Sequence, residues 1–292
     1  MRSSRTTVHS QRSRKRLLLV PLALVAVLGV VLGVLWVLQR QLIYFPDASP
    51  VLPAGDVIPG ARDINLHTAD GLDLGAWFCP AGPGPAGRDR GLAVLVAPGN
   101  GGNRESRAGL ARELSQRGLA VLLMDYRGYG GNPGAPSEEG LTADALAATD
   151  ALAELGYPPH RSIYFGESLG TGVVATLQTS RPPAGLVLRS PFPDLSAVAA
   201  HHYPLLPVRL LLRDRFPVTA QLSSSKMPVT VIYGDEDSVV PTELSARVAT
   251  SAPGLFEELV LHGADHNDDA MFGPQVADAV ARLADRVSRR AD

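Results

Sequence analysis

The hydrophobic pattern changes character at three points along the chain. The first segment is an uncharged run of 22 residues, Leu17 to Leu38. At a helical rise of about 1.5 Å per residue it just spans a hydrocarbon core of roughly 30 Å, so the pattern predicts a transmembrane helix. A cleaved signal peptide has a shorter apolar stretch, roughly 7–15 residues, and an A-x-A-like site after it; neither feature fits, which favours a retained anchor. Residues 39–61 are rich in Pro and Gly and read as a juxtamembrane linker.

From Arg62 onward the pattern becomes that of a folded domain, 62–292. Arg62 to His67 and Leu72 to Phe78 read as two strands joined by the turn Ala69-Asp70-Gly71. Leu92 to Ala97 is continuously apolar, as expected of a strand covered on both faces. Strand-like segments then recur at Ala120–Asp125, Ser162–Glu167, Gly185–Arg189, Val229–Gly234 and Glu257–His262. Helical patterns separate most of them: Glu105 to Arg117, Ser137 to Leu155, a helix after Leu169, and a last one with Val276, Val280, Leu283 and Val287 on one face. This alternation predicts an α/β domain with a mostly parallel sheet and helices on both faces.

The third change is at about 191–227, where the alternation stops between two strands. The position suits a small cap over the C-terminal edge of the sheet. Its middle, YPLLPVRLLLRDRF, is apolar with three arginines, and reads either as the lining of an acyl pocket or membrane contact, or as a packed helix with snorkelling arginines.

Charge sharpens the reading of the N-terminus. Residues 1–16 carry six basic side chains and no acid, whereas only Arg40 follows the span closely. The positive-inside rule therefore leaves a basic tail in the cytoplasm and puts the domain on the extracytoplasmic side. Trp36, Tyr44 and Phe45 are candidates for an interfacial aromatic belt, while Gly29 and Gly33 form a GxxxG pair too short to imply a dimer. Beyond residue 16 the chain holds 21 basic and 29 acidic side chains, a poor composition for binding nucleic acid. The single cysteine, Cys79, permits no internal disulfide or thiolate metal cluster and reads as packing.

Gly166-Glu167-Ser168-Leu169-Gly170 matches G-x-S-x-G where a strand pattern gives way to a helix pattern. Such a turn is tight enough to require small flanking residues, and it lifts the serine hydroxyl above the sheet. A serine is a weak nucleophile until an imidazole takes its proton, and that imidazole needs a carboxylate partner. Asp235, Glu236 and Asp237 follow the next-to-last strand; His262 and His266 follow the last. Spacing alone leaves Asp235 and Asp237 open as the acid. His266, in a loop behind Gly263, is the better base than His262 at a strand end. The backbone N–H of Leu169, and that of Asn100 in the loop Pro98-Gly99-Asn100-Gly101-Gly102-Asn103, are the expected oxyanion donors. This glycine-rich loop has neither the P-loop lysine nor G-x-G-x-x-G, which argues against a nucleotide site.

Together LIYFP, PGNGGN, DYRGYGGNPGAPSEEGL, GESLG, RSPFPDL, GDEDSVVP and HGADHND make the chain resemble the membrane-anchored α/β-hydrolase-domain serine hydrolases, related to the monoacylglycerol lipase and serine aminopeptidase families. The resemblance implies an α/β-hydrolase fold. It also implies that the acid is the fourth residue of G-x-x-D-x-x-V-P, which is Asp237. One departure is Pro98-Gly99, where such proteins usually have His-Gly, so an imidazole that braces the oxyanion loop is missing.

The expected chemistry is hydrolysis of an acyl ester or thioester through a Ser168 acyl-enzyme, with no cofactor and no metal. An acylated small molecule or a lipid is the expected substrate. Amide cleavage and a non-catalytic, membrane-anchored binding module are the alternatives.

Overall fold

The computed structural model describes residues 7–84 and 89–291. Arg2 and Arg5 of the basic tail lie outside them. Helix α1 (Thr7–Ile43) contains the apolar segment Pro21–Ile43, 23 residues with a mean hydropathy of 2.7, long and apolar enough to cross a membrane. Strand β1 (Phe45–Pro46) and the short helix α2 (Ala54–Val57) follow. Segment 39–61 is laid along the domain: Ala54 and Ile58 are buried, and Ala54 N donates to Asp63.

The main sheet has eight strands: β2 (Arg62–His67), β3 (Asp73–Cys79), β4 (Ala93–Ala97), β6 (Ala120–Met124), β7 (Ser162–Glu167), β8 (Gly185–Arg189), β9 (Val229–Gly234) and β10 (Leu255–Leu261). A two-residue strand, β5 (Gly101–Gly102), pairs in parallel with β1. The order is β10-β9-β8-β7-β4-β6-β3-β2, with β3 antiparallel to both β2 and β6 and all other pairs parallel. Strands β4, β6, β7, β8 and β9 are buried at every position, which is why they read as apolar runs rather than alternations.

Two hydrophobic cores cover the two faces. One contains Leu141 and Leu152 of α4 (Glu138–Glu154), Val173 and Leu177 of α5 (Leu169–Ser180), and Val248 of α9 (Thr242–Ser251). The other contains Leu110 and Leu114 of α3 (Ala108–Gln116) with Val276, Val280 and Leu283 of α10 (Pro274–Ala291). Helix α4 starts where Ser137 accepts a hydrogen bond from Gly140 N, a side-chain cap that satisfies an otherwise free donor.

Between β8 and β9 lie three short helices, α6 (Leu195–His202), α7 (Val208–Leu211) and α8 (Val218–Leu222). The apolar stretch at 203–216 is thus interrupted rather than one helix, because Pro204, Pro207 and Pro217 remove backbone donors at the breaks. The structure corrects one expectation here. Tyr44 belongs to no interfacial belt: it is buried, and its hydroxyl donates to Asp214 at 2.9 Å.

Sheet topology selects the functional edge. From β4 the chain moves to β6 on one side and then to β7 on the other, so the loops leaving β4 and β7 stand side by side at a reversal of strand order. Ligands of open α/β sheets bind at such points, outside the carboxyl ends of the strands.

Candidate active site

Ser168 occupies the turn from β7 to α5 with φ 51° and ψ −115°, a left-handed backbone that costs on the order of 1–3 kcal/mol for a residue with a side chain. The turn is held by Ser168 N donating to Arg189 O at 2.8 Å. It also explains both motif glycines. A Cβ at Gly166 would sit 2.5 Å from Gly170 O, and one at Gly170 would overlap the carbonyls of Ala97 and Pro98.

The loops after β9 and β10 bring two acids to two histidines. His266 Nδ1 lies 2.8 Å and 3.0 Å from the Asp237 carboxylate oxygens, both side chains buried. Asp237 Oδ1 also accepts from Val239 N and Val240 N. Burial opposes ionisation of Asp237, but the His266 hydrogen bond and the backbone donors outweigh it and hold the carboxyl below its usual range. Asp235 instead pairs with the exposed His262 at 2.7 Å. Ser168 Oγ makes no hydrogen bond to His266 in this geometry. Arg189 connects them, its carbonyl accepting from Ser168 N and its Nη1 donating to His266 O at 2.9 Å. Contacts between nucleophile and base are commonly long without substrate and tighten when it binds.

Asn100 stands beside Ser168 in the same chamber. Among the described residues, neither Asn100 N nor Leu169 N has an acceptor, leaving both N–H groups available. The Pro98-Gly99 departure is offset by other braces on this loop. Tyr126 Oη donates to Pro98 O at 3.0 Å, Tyr129 Oη to Asn100 O at 2.9 Å, Phe45 N to Asn100 O at 2.8 Å, and Asn100 Nδ2 to Ile43 O at 2.7 Å.

Under the turn lies a buried ionic network that the sequence did not reveal. Glu167 receives Arg107 through two hydrogen bonds, 2.7 Å and 3.1 Å, and Arg189 Nη2 lies 3.0 Å from Glu167 Oε1. Arg107 also donates to Gly101 O and Asn103 O, tying the glycine-rich loop to the serine turn. Burial alone would raise Glu167, but Arg107 and Arg189 prevail and hold it at about 2. A lone Glu beside Ser168 and an Arg just before α3 carry no local signal for a pairing 60 residues apart.

Ser168, Asn100 and Leu169 open on a chamber of about 460 Å³, within the usual range for small-molecule sites. Its walls are predominantly apolar. Phe192, Leu195 and Val198 contribute from the start of the cap, and among the described residues no carboxylate lines it.

A family model described as serine aminopeptidase, S33, matches residues 89–214. An uncharacterised protein of Mycobacterium tuberculosis, Rv2307c, is 48% identical over 257 residues, covering 87% of this chain and 90% of that one. The Arabidopsis thaliana α/β-hydrolase domain-containing protein WAV2 is 30% identical over 74% of this chain and 76% of its own. A Danio rerio protein named lysophosphatidylserine lipase ABHD12 is 29% identical over 70% of this chain and 62% of its own. Among solved structures, the Pyrococcus furiosus esterase PF2001 superposes with a TM-score of 0.66 at 20% identity, covering 84% and 97% of the two chains. With the eight-stranded sheet and the serine turn at its switch point, these likenesses establish that the chain belongs to the α/β-hydrolase family, whose members of this kind are hydrolases.

Proposed function

We propose that the protein is a serine hydrolase acting on acyl esters or thioesters through Ser168, His266 and Asp237. The observation that carries this reading is the buried Asp237–His266 pair facing the same sheet edge as a serine in a strained turn that opens on an apolar chamber. In the reaction, His266 takes the proton of Ser168 as Oγ attacks the acyl carbonyl carbon. Asp237 holds the imidazole in the required tautomer and stabilises the imidazolium. The N–H groups of Leu169 and Asn100 receive the developing oxyanion. Collapse expels the alcohol or thiol, which leaves with the proton from His266, and water then releases the acid by the same steps in reverse.

The esterase and lipase descriptions of PF2001 and ABHD12 support an ester substrate. The lining favours it over an aminopeptidase, because among the described residues the chamber has no carboxylate to receive a substrate ammonium group. The basic tail and the apolar segment Pro21–Ile43 support a retained anchor with the domain outside the cytoplasm. A C-terminal reporter active only outside the cytoplasm tests that orientation, and an expressed but silent reporter would reverse it. The activity test is turnover of p-nitrophenyl esters by the full-length protein in detergent. Ser168→Ala is expected to remain folded by circular dichroism and to abolish turnover; a variant as active as the wild type would remove Ser168 from the mechanism.

A further inference from the structure

The last turns of α1 do more than tether. Leu35, Gln39, Leu42 and Ile43 line the chamber that holds Ser168, together with residues of the cap. Polar contacts fix the helix end to the cap. Gln39 is buried; its Nε2 donates to Leu211 O at 3.1 Å and its Oε1 accepts from Arg213 N at 2.7 Å. Arg40 and Tyr44 both converge on Asp214, and the Arg213 guanidinium stacks over Trp36 at 4.9 Å. A buried amide and a buried carboxylate are costly without partners, so these contacts specify one seating of the helix.

The cap segment held in this way also presents apolar side chains to the outside. Leu205 is 96% exposed and Leu210 84%, on either side of the chamber-lining Leu206 and Val208. The most apolar stretch of α1 is likewise unburied. A lipid surface is the environment in which the helix and these cap residues lose no free energy by exposure.

Resting on the reading of Ser168 as nucleophile, we propose that α1 is part of the substrate site. A membrane-resident amphiphile with one acyl chain enters sideways from the lipid, and its chain lies between Leu35–Ile43 and the cap. The chamber volume suits one chain, and its apolar walls suit a hydrocarbon.

The test uses a hexadecyl fluorophosphonate with a diazirine at the chain end, applied to the full-length protein in phosphatidylcholine vesicles. Ser168 Oγ displaces fluoride at phosphorus, its proton leaving through His266 as hydrogen fluoride forms, and irradiation then marks whatever the chain end touches. Cross-links between the Ser168 peptide and the segment 35–43 are expected. Labelling of Ser168 with cross-links only elsewhere would overturn the role of α1 while leaving the hydrolase reading intact. No labelling of Ser168 would overturn both.

Substitution gives a second reading. Leu35→Trp narrows the chamber and should lower the ratio of kcat/KM for palmitate over butyrate esters at least about tenfold. An unchanged ratio contradicts the proposal. Leu205→Asp with Leu210→Asp should lower the rate on a vesicle-embedded ester severalfold relative to the same ester in mixed micelles, and equal losses in both would contradict access from the lipid.

Discussion

Two Asp–His pairs are built from the same two loops, and their hydrogen bonds are equally short, 2.8 Å for Asp237–His266 and 2.7 Å for Asp235–His262. Their surroundings differ. The Asp237 and His266 side chains are 0% and 7% exposed, against 36% and 87% for Asp235 and His262. Both carboxylates accept backbone N–H groups, Asp237 from Val239 and Val240 and Asp235 from Gly263, but only the buried pair has an arginine on its histidine carbonyl, Arg189 on His266. A carboxylate next to an imidazole becomes an acid–base device when water is kept out and the ring is held toward a nucleophile. In a lower dielectric the same charge stabilises an imidazolium far more than it can at the surface.

The largest effect is expected at Asp237. Asp237→Asn should lower kcat by about 10⁴ with the fold retained, because an amide cannot stabilise the imidazolium. Steady-state kinetics on a short ester, beside circular dichroism, measures this. A loss of only a few-fold would detach the buried pair from the chemistry.

The network beneath the pair should appear in stability. Glu167 is held at about 2 against an ordinary value of 4.5, so in that interval the unfolded chain binds more protons and stability rises with pH. The contribution is complete above about 4.5 and lost as pH falls toward 2, amounting to on the order of 3 kcal/mol. Asp125 works in the opposite sense, since burial raises it to about 6 despite Arg104, and its effect falls between 3.8 and 6. Urea unfolding of wild type and Glu167→Gln from pH 2 to 5 separates the two. The variant should lose the acid-limb rise, and parallel curves would mean that Glu167 is not held as described.

The smallest effect is expected at the exposed pair. Asp235→Asn removes a solvent-screened surface contact, and kcat should stay within about threefold of wild type. A larger loss here than at Asp237, under the same assay, would move the acid to Asp235.

Much of this was legible because it is written locally. Strands Ser162–Glu167, Gly185–Arg189 and Val229–Gly234 have the bounds expected from their mostly apolar runs, since a strand buried on both faces is built largely of apolar residues. The serine turn was legible for the same reason, its glycines being required within two residues of Ser168. Between Asp235 and Asp237, spacing alone gave no answer; only a match to a family pattern did. The unreadable parts are long-range pairings. Arg107 finds Glu167 60 residues away, and Gln39 finds Leu211 172 residues away. In the sequence, Gln39, Arg40 and Tyr44 simply follow an apolar run, and nothing nearby distinguishes the end of a tether from the wall of a pocket.

The central claim, that Ser168 is an activated nucleophile supported by the buried pair, is tested most directly by covalent labelling. Full-length protein is treated with a small fluorophosphonate, and the adduct is read by intact mass and located by peptide mapping, with Ser168→Ala and Asp237→Asn in parallel. One adduct per chain is expected on the peptide containing Ser168, none in Ser168→Ala, and labelling slowed by orders of magnitude in Asp237→Asn. A folded wild-type protein that takes up no adduct, or takes it up on another residue, would contradict the claim.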